Sequence, residues 1–580
     1  ILVNSNELAV HMGIPKKSIS GLPVLECVPF GRNISSYHPI TLDLPLGKIY
    51  HMHHTEKTDV SLSSKDLTAH TFVTGSTGSG KSNTIYKIIY ECCFNQKSNK
   101  KFLVIESAKG EYKNIFGGYD SVSVYGTNIR KSALLKINPF VIPDDDITVA
   151  EHIDRLIEIF NACWPMYAAM PAVLKEAIEA AYVSCGWSIT RSVCIEPKRF
   201  PTFATLLSKL PDIINTSAYS KDTKSDYIGA LVTRVKSLTN GINGMIFCAD
   251  DNITDEQLFE NNVIIDISRV GSSETKALIM GMLVIKLQEY RMLQSSQGTL
   301  MNSDLRHITV IEEAHNLLRR TSSEQSQESS NLQGKSVEML ANAIAEMRTY
   351  GEGFIIADQS PGLLDMSVIR NTNTKIIMHL PDESDRELAG KAAGLNDEQI
   401  KELAKLDVGV AAVYQNHWIE PVLCKIEKFK DEKAFKYPPD GNWSDDNYFV
   451  YSERNVFFKY IINGCNGQLE LTDEEMDKLR RWIDNLSQQT VRNTLRKVLN
   501  KNTISKHDCA NAVYCLINGK TIIDSNDADC YHQIIKQEIR DKINVSNELA
   551  QNLHRIVIEY ISENLKHDSK RYNELIGGVK

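Results

Sequence analysis

Residues 71–84 read TFVTGSTGSGKSNT, and the fold that we expect for this chain follows from this stretch. The segment 71–74 has the character of a short buried strand, and residues 83–92 have the composition of a helix. The glycine-rich sequence GSTGSGKS at 75–82 lies between them and matches the pattern of a phosphate-binding loop. A strand, such a loop and a helix in this order predict a site for a nucleoside triphosphate.

The chemistry of phosphate binding explains the residue types in this loop. Gly75, Gly78 and Gly80 permit backbone conformations in which N–H groups turn inward around an anion. Lys81 can reach the β- and γ-phosphates, and the Ser82 hydroxyl can reach a magnesium ion. ATP and Mg²⁺ are therefore the predicted cofactors. The residues predicted to contact the nucleotide are Gly75, Ser76, Thr77, Gly78, Ser79, Gly80, Lys81, Ser82 and Asn83.

The second half of such a site is an acid at the end of a neighbouring strand. The apolar run 308–311 leads directly into Glu312 and Glu313. We predict that Glu312 belongs to the magnesium shell and that Glu313 orients and deprotonates the attacking water. A later apolar run ends in Asp358 and Gln359, and a glutamine there can contact the γ-phosphate or the water.

Between residues 68 and 430, short apolar runs alternate with longer segments of helical periodicity. Continuous apolar runs are typical of strands buried on both faces of a mostly parallel sheet, so we predict an α/β fold for this region. The runs predicted as strands are 71–74, 102–106, 263–267, 308–311, 354–357, 375–380 and 410–414.

Changes in pattern divide the chain, whose 580 residues are too many for one core. Residues 1–55 are expected to be a β-rich segment, and residues 56–430 a nucleotide-binding core. A helical insert is predicted at about 140–250, and residues 431–580 are predicted to form a C-terminal helical domain. The polar stretch 321–336 is expected to be a loop, and 431–446 a linker.

Two capping boxes indicate helix starts, one at Thr148 with Glu151 in the insert and one at Thr472 with Glu475 near the C-terminus. The second is followed by an apolar stripe that we interpret as packing within the C-terminal domain, with a partner-binding face as the alternative. The stripe consists of Met476, Leu479, Trp482, Ile483 and Leu486.

Bulk composition limits the class of protein further. A formal net charge of −8 argues against non-specific coating of nucleic acid but leaves room for a local basic channel. Twelve scattered cysteines without a CxxC pair indicate a reducing compartment. The sequence has no apolar run long enough to cross a bilayer, so we expect a cytoplasmic protein without membrane contact.

Four blocks of sequence together resemble HerA-type ATPases, in the superfamily that also contains FtsK-like DNA pumps. The blocks are GSTGSGKSNT at 75–84, VIEEAHNLL at 310–318, EMRTYGEGFIIADQSP at 346–361 and NTNTKIIMHL at 371–380. The resemblance covers roughly residues 20–425, and the four blocks in this order are far more specific than any one of them.

The resemblance implies a RecA-like core in a homohexameric ring, with each ATP site at a boundary between subunits. It implies that Arg348 enters the neighbour's site and stabilises charge on the transferring phosphate. Glu106, in VIESAKGEY, matches a position that is usually aspartate and is implied to support the water or the metal. Ser360-Pro361 stands where an Arg-Pro pair is common in the DNA pumps, which bears on substrate coupling more than on hydrolysis.

Three functions remain open at this point. The first is translocation of double-stranded DNA with a partner nuclease or effector, as the resemblance to members in bacterial anti-phage operons implies. The second is an ATPase scaffold that activates a separate effector, such as a sirtuin-like NAD-consuming enzyme or a nuclease, and the third is a type IV secretion-type ATPase.

Six basic residues near strand ends are candidate DNA contacts, although ordinary surface charge is the preferred interpretation of each one singly. These are Lys109, Arg130, Lys131, Arg269, Arg319 and Arg320.

Overall fold

A computed structural model of the chain gives the arrangement of its elements. The described residues are 4–11, 13, 18–21, 24, 27–36, 40–95, 100–119, 121–143, 146–167, 169–195, 198–249, 251–296, 302–321, 332–430, 453–465, 473–484, 486, 489–501, 503–517, 531–539 and 547–564. They fall into two units. The first unit comprises 1–102, 300–322 and 337–430, and the second comprises 103–299, 323–336 and 431–580.

The elements are numbered in chain order. The strands are β1 (Leu44–His51), β2 (His54–Leu62), β3 (Thr71–Thr74), β4 (Lys101–Glu106), β5 (Val122–Gly126), β6 (Ala133–Leu134), β7 (Trp187–Ser188), β8 (Val193–Cys194), β9 (Asn262–Asp266), β10 (His307–Glu312), β11 (Glu352–Asp358), β12 (Thr374–Ile377), β13 (Val410–Tyr414) and β14 (Val422–Ile426). The helices are α1 (Ser5–His11), α2 (Lys81–Cys93), α3 (Tyr112–Phe116), α4 (Val149–Cys163), α5 (Met170–Ser184), α6 (Phe203–Thr216), α7 (Lys221–Tyr227), α8 (Thr233–Thr239), α9 (Gly241–Phe247), α10 (Asp255–Phe259), α11 (Ser273–Ser296), α12 (Leu332–Glu346), α13 (Met366–Arg370), α14 (Glu383–Ala392), α15 (Asp397–Glu402), α16 (Glu453–Cys465), α17 (Asp473–Asp484), α18 (Gln489–Leu499), α19 (Lys506–Leu516), α20 (Tyr531–Glu538) and α21 (Asn547–Asn564).

The strands of the first unit lie in the order β2-β1-β14-β13-β12-β3-β11-β10. Four neighbours at one end, β12, β3, β11 and β10, are parallel, and the others pair antiparallel. Every residue of β3, β11 and β12 is buried, as expected for strands covered on both faces.

The strands of the second unit lie in the order β4-β9-β5-β6, and all of these pairs are parallel. Glu106 of β4 and Gly126 of β5 both stand beside Asp266 of β9 in the register, so these three strands end level. The predicted α/β fold with a mostly parallel sheet is confirmed.

The continuously apolar strands were predicted from the sequence, whereas the more polar hairpin was not. The predicted strands 71–74 and 410–414 are confirmed residue for residue, whereas β12 ends at Ile377 and is shorter than the expected 375–380. The hairpin of β1 and β2 was missed because the HTEKTDVSL sequence of β2 is largely polar and exposed. That hairpin crosses residue 55 and joins β14, and the domain boundaries stay predictions.

The region of the expected insert contains helices α4 to α9 and the two-stranded hairpin β7-β8. Its first helix begins as predicted, because the Thr148 side chain accepts the backbone N–H of Glu151 and the glutamate side chain accepts that of Thr148. Phe203 is the centre of an aromatic cluster, with Phe140 at 5.1 Å and Phe247 at 5.6 Å between ring centroids.

Helices α16 to α21 share a buried apolar core near the C-terminus. The predicted apolar stripe of α17 belongs to it, which confirms the packing interpretation: Leu479, Trp482, Ile483 and Leu486 are buried, and Met476 packs against them. The expected loop 321–336 was wrong at its end, because 332–336 belong to α12, and its residues 322–331 lie outside the described residues. Thr472 of the second capping box and the expected linker 431–446 also lie outside them. No helix within the described ranges is long and apolar enough to cross a membrane.

His70 is the buried residue that leads into β3, and it holds β11 in place. Its backbone has a φ of 63°, and its Nδ1 atom accepts the backbone N–H of Phe354 at 3.1 Å. The ring also contacts the Phe354 ring edge-on, with centroids 5.5 Å apart. Burial lowers the pKa of His70 to about 4, because an imidazolium ion would lose its hydration there.

The lowered pKa of His70 predicts acid-sensitive stability. As pH falls from about 6.5 to about 4, the unfolded chain gains a proton at His70 that the folded chain does not bind, at a cost of up to about 3 kcal/mol. In His70→Asn, an amide oxygen replaces Nδ1 at the same number of bonds, tolerates positive φ and does not titrate. We expect urea midpoints of the variant to fall less steeply with pH than those of the parent, and parallel slopes would contradict this role.

Candidate nucleotide site

The phosphate-binding loop joins β3 to α2 and is folded around glycines. Gly78 and Gly80 have φ values of 79° and 113°, a region that side chains rarely adopt. A Cβ atom on Gly80 would also lie 3.0 Å from Cε of Met378, so the loop packs closely on the residue after β12. The backbone N–H of Ser76 donates to the carbonyl of His379 at 2.8 Å, which fastens the loop to the same segment.

Lys81 is the first residue of α2 and extends its ammonium group back over the loop. Its Nζ atom donates to the carbonyl oxygens of Gly75 and Ser76. The charge is therefore held at the loop whose N–H groups are predicted to receive phosphate. Asn83, also predicted to contact the nucleotide, uses its side chain elsewhere: it donates to the carbonyl of Glu427 and accepts from the N–H of Phe429.

The parallel register brings the functional strand ends to one level. Thr74, the last residue before the loop, pairs with Asp358 of β11. Ala357 of β11 in turn pairs with Glu312 of β10. Because parallel strands point the same way, the phosphate-binding loop, Gln359 and Glu313 leave the sheet at the same edge.

A chain of side-chain hydrogen bonds links these ends. The Thr77 hydroxyl donates to Oε1 of Gln359 at 2.6 Å. The Gln359 amide then donates through Nε2 to Oε1 of Glu313 at 2.5 Å. Glu313 has a left-handed backbone, with a φ of 49° and a ψ of 53°, which turns the chain sharply at the end of β10. The glutamate predicted to orient water is thus connected to the phosphate-binding loop through Gln359.

The predicted magnesium ligands fit a hard cation by their chemistry. Ser82 lies in the first turn of α2, and Glu312 ends β10; both are partly exposed. Hydroxyl and carboxylate oxygens are the ligands that Mg²⁺ uses in nucleotide sites, usually with waters completing its shell. Their assignment as ligands stays a prediction.

Arg348 lies at the opposite edge of the sheet from the loop. It belongs to the turn Met347–Tyr350 just before β11, whereas Gln359 follows the end of that strand. The seven residues of β11 span about 23 Å, too far for an arginine side chain to reach across. Arg348 is exposed, and it forms no ion pair within the described part of the chain.

Glu106 is buried in the second unit at the end of β4. Its carboxylate accepts the backbone N–H groups of Glu111 and Tyr112, at 2.5 Å and 3.2 Å. These contacts fix the loop between β4 and α3. The supporting catalytic role implied by the resemblance stays a prediction.

Two residues beside the predicted machinery received no role from the sequence. His315 and Asp358 flank Glu313 and Gln359 along the chain, and their side chains form an ion pair at 2.9 Å. The available signal was their position in the sequence: His315 stands two residues after Glu313 in VIEEAHNLL, and Asp358 immediately precedes Gln359 in IIADQSP. The sequence patterns alone did not predict the contact between His315 and Asp358.

A phosphate-binding loop, an acid-ended strand and a glutamine-ended strand at one edge of a parallel sheet define a RecA-like P-loop ATPase. Residues 44–287 match the family model described as the central domain of helicase HerA. The matched segment is less than half of the chain, and over it the chain is similar to the HerA central domain.

Curated relatives agree with this assignment. The DNA double-strand break repair helicase HerA of Sulfurisphaera tokodaii is 24% identical over 376 residues, which cover 64% of this chain and 67% of the relative. The probable helicase MJECL08 of Methanocaldococcus jannaschii is 22% identical over 394 residues, covering 64% and 68%.

Two solved structures each align with about two thirds of the chain. VirB4 of Thermoanaerobacter pseudethanolicus aligns with a TM-score of 0.47 and 16% identity, covering 68% of this chain and 98% of that one. The plasmid coupling protein TrwB in complex with ADP and Mg²⁺ aligns with a TM-score of 0.45 and 13% identity, covering 65% and 90%.

The hydrogen bond from Thr77 to Gln359 can be tested with near-isosteric variants. Thr77→Val removes the donor and keeps the shape, and loss of about 1 kcal/mol corresponds to a roughly fivefold lower kcat. Thr77→Ser keeps the hydroxyl and should stay closer to the parent. Steady-state ATP hydrolysis and titration with a fluorescent ATP analogue would measure kcat and nucleotide affinity separately. Equal kcat values for the valine and serine variants would show that this contact is irrelevant to turnover.

Proposed function

We propose that this ATPase works as a homohexameric ring that couples ATP hydrolysis to movement along double-stranded DNA. The observation that carries the ring is the position of Arg348. An exposed arginine without an ion-pair partner among the described residues, at the far edge from its own phosphate-binding loop, can serve hydrolysis only in another subunit. An interface that joins opposite edges of identical subunits is heterologous and can close into a ring.

Within such a site each residue has a distinct task. Glu313 orients the attacking water and takes its proton, while Gln359 senses the γ-phosphate from the neighbouring strand end. Lys81 and the loop N–H groups hold the phosphates, and Arg348 of the neighbouring subunit stabilises the charge that develops during transfer. Mg²⁺, held by Ser82 and Glu312, would neutralise phosphate charge when bound.

The trans role of Arg348 is testable by complementation. Arg348→Ala and Glu313→Gln should each lower hydrolysis about a thousandfold while nucleotide binding at the loop persists. In rings formed by co-expressing both variants in equal amounts, about a quarter of the interfaces combine an intact Glu313 with an intact Arg348. Hydrolysis should therefore return to roughly that fraction of the parent rate.

The control for this experiment is Arg306→Ala, which removes another exposed arginine near the start of β11 and should leave hydrolysis intact. Mixed rings as inactive as the two single variants would mean that Arg348 acts within its own subunit or not at all. Loss of nucleotide binding in Arg348→Ala would also argue against the trans role.

The DNA part of the proposal draws on the name of the Sulfurisphaera tokodaii relative and on a group of cations in the second unit. We call Lys109, Arg130, Lys131 and Arg269 the cationic loop group. These residues follow β4, β5 and β9, whose ends are level in the register. All are exposed, and phosphate contacts from such side chains bind DNA without reading its sequence.

Close packing holds the three loops of this group together. A Cβ atom on Gly110 would lie 3.0 Å from the Ser268 hydroxyl, and one on Gly126 would lie 3.0 Å from the carbonyl of Asp266. Of the two acids at these strand ends, Asp266 is paired with Lys113, and Glu106 is buried and accepts two backbone N–H groups. Within the described residues, the cationic loop group has one ion pair, a long contact of 3.9 Å between Lys109 and Glu111. A chain of net charge −8 thus places four exposed cations at this edge, and among the described residues three of them have no ion pair.

Neutralising the cationic loop group should weaken DNA binding selectively. We expect the fourfold glutamine variant to bind a random double-stranded oligonucleotide at least about tenfold more weakly, with a shallower salt dependence because fewer counterions are released. ATP hydrolysis without DNA should remain. Filter binding or anisotropy across a salt series would measure this.

A charge-matched control replaces four other cations of the second unit by glutamine: Arg191, Lys209, Lys221 and Lys236. It should bind DNA like the parent. Equal weakening of both fourfold variants would reject the cationic loop group as the contact surface. A parent protein that neither binds DNA nor hydrolyses ATP faster in its presence would reject DNA as the substrate.

A second candidate is an ATPase scaffold that assembles and activates a separate effector, a nuclease or a sirtuin-like NAD-consuming enzyme, in anti-phage defence. The C-terminal helices favour an attached partner, because they have a buried core of their own beyond the segment that matches the HerA model. Co-purification of a second chain in fixed stoichiometry, together with hydrolysis that DNA never stimulates, would favour this scaffold. The secretion-type alternative and the cytoplasmic location stay predictions.

A further inference from the structure

Glu313, His315 and Asp358 form a polar cluster at the ends of β10 and β11. One ligand-type atom from each lies within 4.8 Å of the others, and among the described residues this is the one such group of histidine, cysteine and acidic side chains. Only Glu313 has a task in the proposed mechanism. The contacts of the other two indicate what they contribute.

Asp358 is fully buried and accepts hydrogen bonds on both carboxylate oxygens. Its Oδ2 atom accepts the backbone N–H of His315 at 2.9 Å and the ring Nδ1–H of the same residue at 2.9 Å. Its Oδ1 atom accepts the backbone N–H of Ser360 at 3.0 Å. Because both oxygens accept backbone N–H groups, the Asp358 carboxylate belongs to a hydrogen-bonded network. The carboxylate ties the end of β11 to the turn after β10.

That turn contains the left-handed backbone of Glu313. A residue with a side chain is disfavoured in this conformation, so it persists only where its surroundings hold it. The carbonyl of Glu313 accepts the backbone N–H of Asn316 at 3.0 Å and its side-chain amide at 2.8 Å. Asp358 fixes the intervening residue, His315, through two further bonds. The direction in which the Glu313 side chain leaves the strand therefore depends on these contacts.

The His315 ring also stands beside the Glu313 carboxylate. Nδ1 of His315 is 3.6 Å from Oε2 of Glu313, while Gln359 donates to the other oxygen at 2.5 Å. The carboxylate thus lies between the amide of Gln359 and the ring of His315. The hydrogen bond to Asp358 raises the pKa of His315 above its ordinary value, with a further contribution from Glu313, while burial and, to a smaller extent, Arg319 oppose the rise. The ring therefore stays in its doubly protonated form to higher pH.

We infer that Asp358 and His315 are positioning residues for ATP hydrolysis: the buried carboxylate holds the histidine, and the histidine holds Glu313 in line with Gln359. This inference rests on the proposed role of Glu313 as the residue that orients the attacking water. The hydrogen bonds between His315 and Asp358 and from Ser360 to Asp358 do not involve the phosphate-binding loop. A change of His315 should therefore lower turnover and leave nucleotide affinity nearly unchanged.

Substitutions at His315 test the donor at Nδ1. In His315→Asn the amide nitrogen stands the same number of bonds from Cα as Nδ1, so it can donate to Asp358. His315→Ala has no donor. We expect the alanine variant to lose about tenfold or more in kcat, with affinity for a fluorescent ATP analogue within about twofold of the parent. The asparagine variant should restore kcat to within about threefold of the parent.

His54→Ala is the control, because His54 is an exposed histidine on β2, away from the strand ends of the site. Parent-like kcat in the alanine variant, or equal loss in the alanine and asparagine variants, would overturn the inference. Loss of ATP-analogue binding together with kcat would indicate a structural role and would also overturn it.

Two further comparisons keep the outcome decisive. If His315→Ala does not fold, His315→Gln takes its place, because the glutamine amide is displaced by one bond from the position of Nδ1. Equal kcat values for the glutamine and asparagine variants would then reject the inference. Glu313→Gln separates this inference from the proposed mechanism. Hydrolysis that survives in Glu313→Gln would refute the role of Glu313 itself, whereas an inactive Glu313→Gln beside a fully active His315→Ala would refute only the positioning role.

Discussion

The parallel hydrogen-bond ladder that joins β3 to β11 and β11 to β10 is the constraint on which the nucleotide site depends. A ladder fixes the register of its strands, and a shift by one residue would turn every side chain to the opposite face. The pairing of Thr74 with Asp358 and of Ala357 with Glu312 therefore decides which side chains meet above the sheet. The hydrogen bonds from Thr77 through Gln359 to Glu313 are consequences of that register.

The same ladder separates functions between the two edges of the sheet. Residues after the strand ends contact the phosphate-binding loop, whereas residues before the strand starts, such as Arg348 and His70, lie a full strand length away. Buried carboxylates at both edges accept hydrogen bonds: Glu352 accepts from His307 and Thr309, and Asp358 accepts from His315 and Ser360. A buried carboxylate without such donors would cost several kcal/mol. These paired groups restrain the strand ends, which suits a site whose predicted catalytic glutamate has a disfavoured backbone.

Local sequence was a good guide where the pattern was strong. The uninterrupted apolar runs of β3, β11 and β13 and the capping box of α4 were all predictable, because continuous burial and helix capping require particular residue types at short spacing. The strand β2 was not, since its exposed positions carry polar residues without regular alternation, and Pro45 and Gly47 interrupt the apolar pattern of β1. The apolar run at 375–380 was overextended, because Met378 and His379 pack against the phosphate-binding loop and do not continue the ladder.

The sequence by itself determined the phosphate-binding loop, the acid and glutamine at strand ends, and the resemblance to HerA-type ATPases. Each of these depends on a few adjacent residues whose chemistry is local, such as glycines that permit an inward turn of N–H groups. Only the tertiary structure decided that His315 meets Asp358, 43 residues away, and that Lys109 and Arg269 leave the sheet at one edge. It also decided that Arg348 cannot reach the loop of its own chain. These relations follow from strand order and register, which are set by contacts between segments distant in the chain and are not encoded in any short stretch of it.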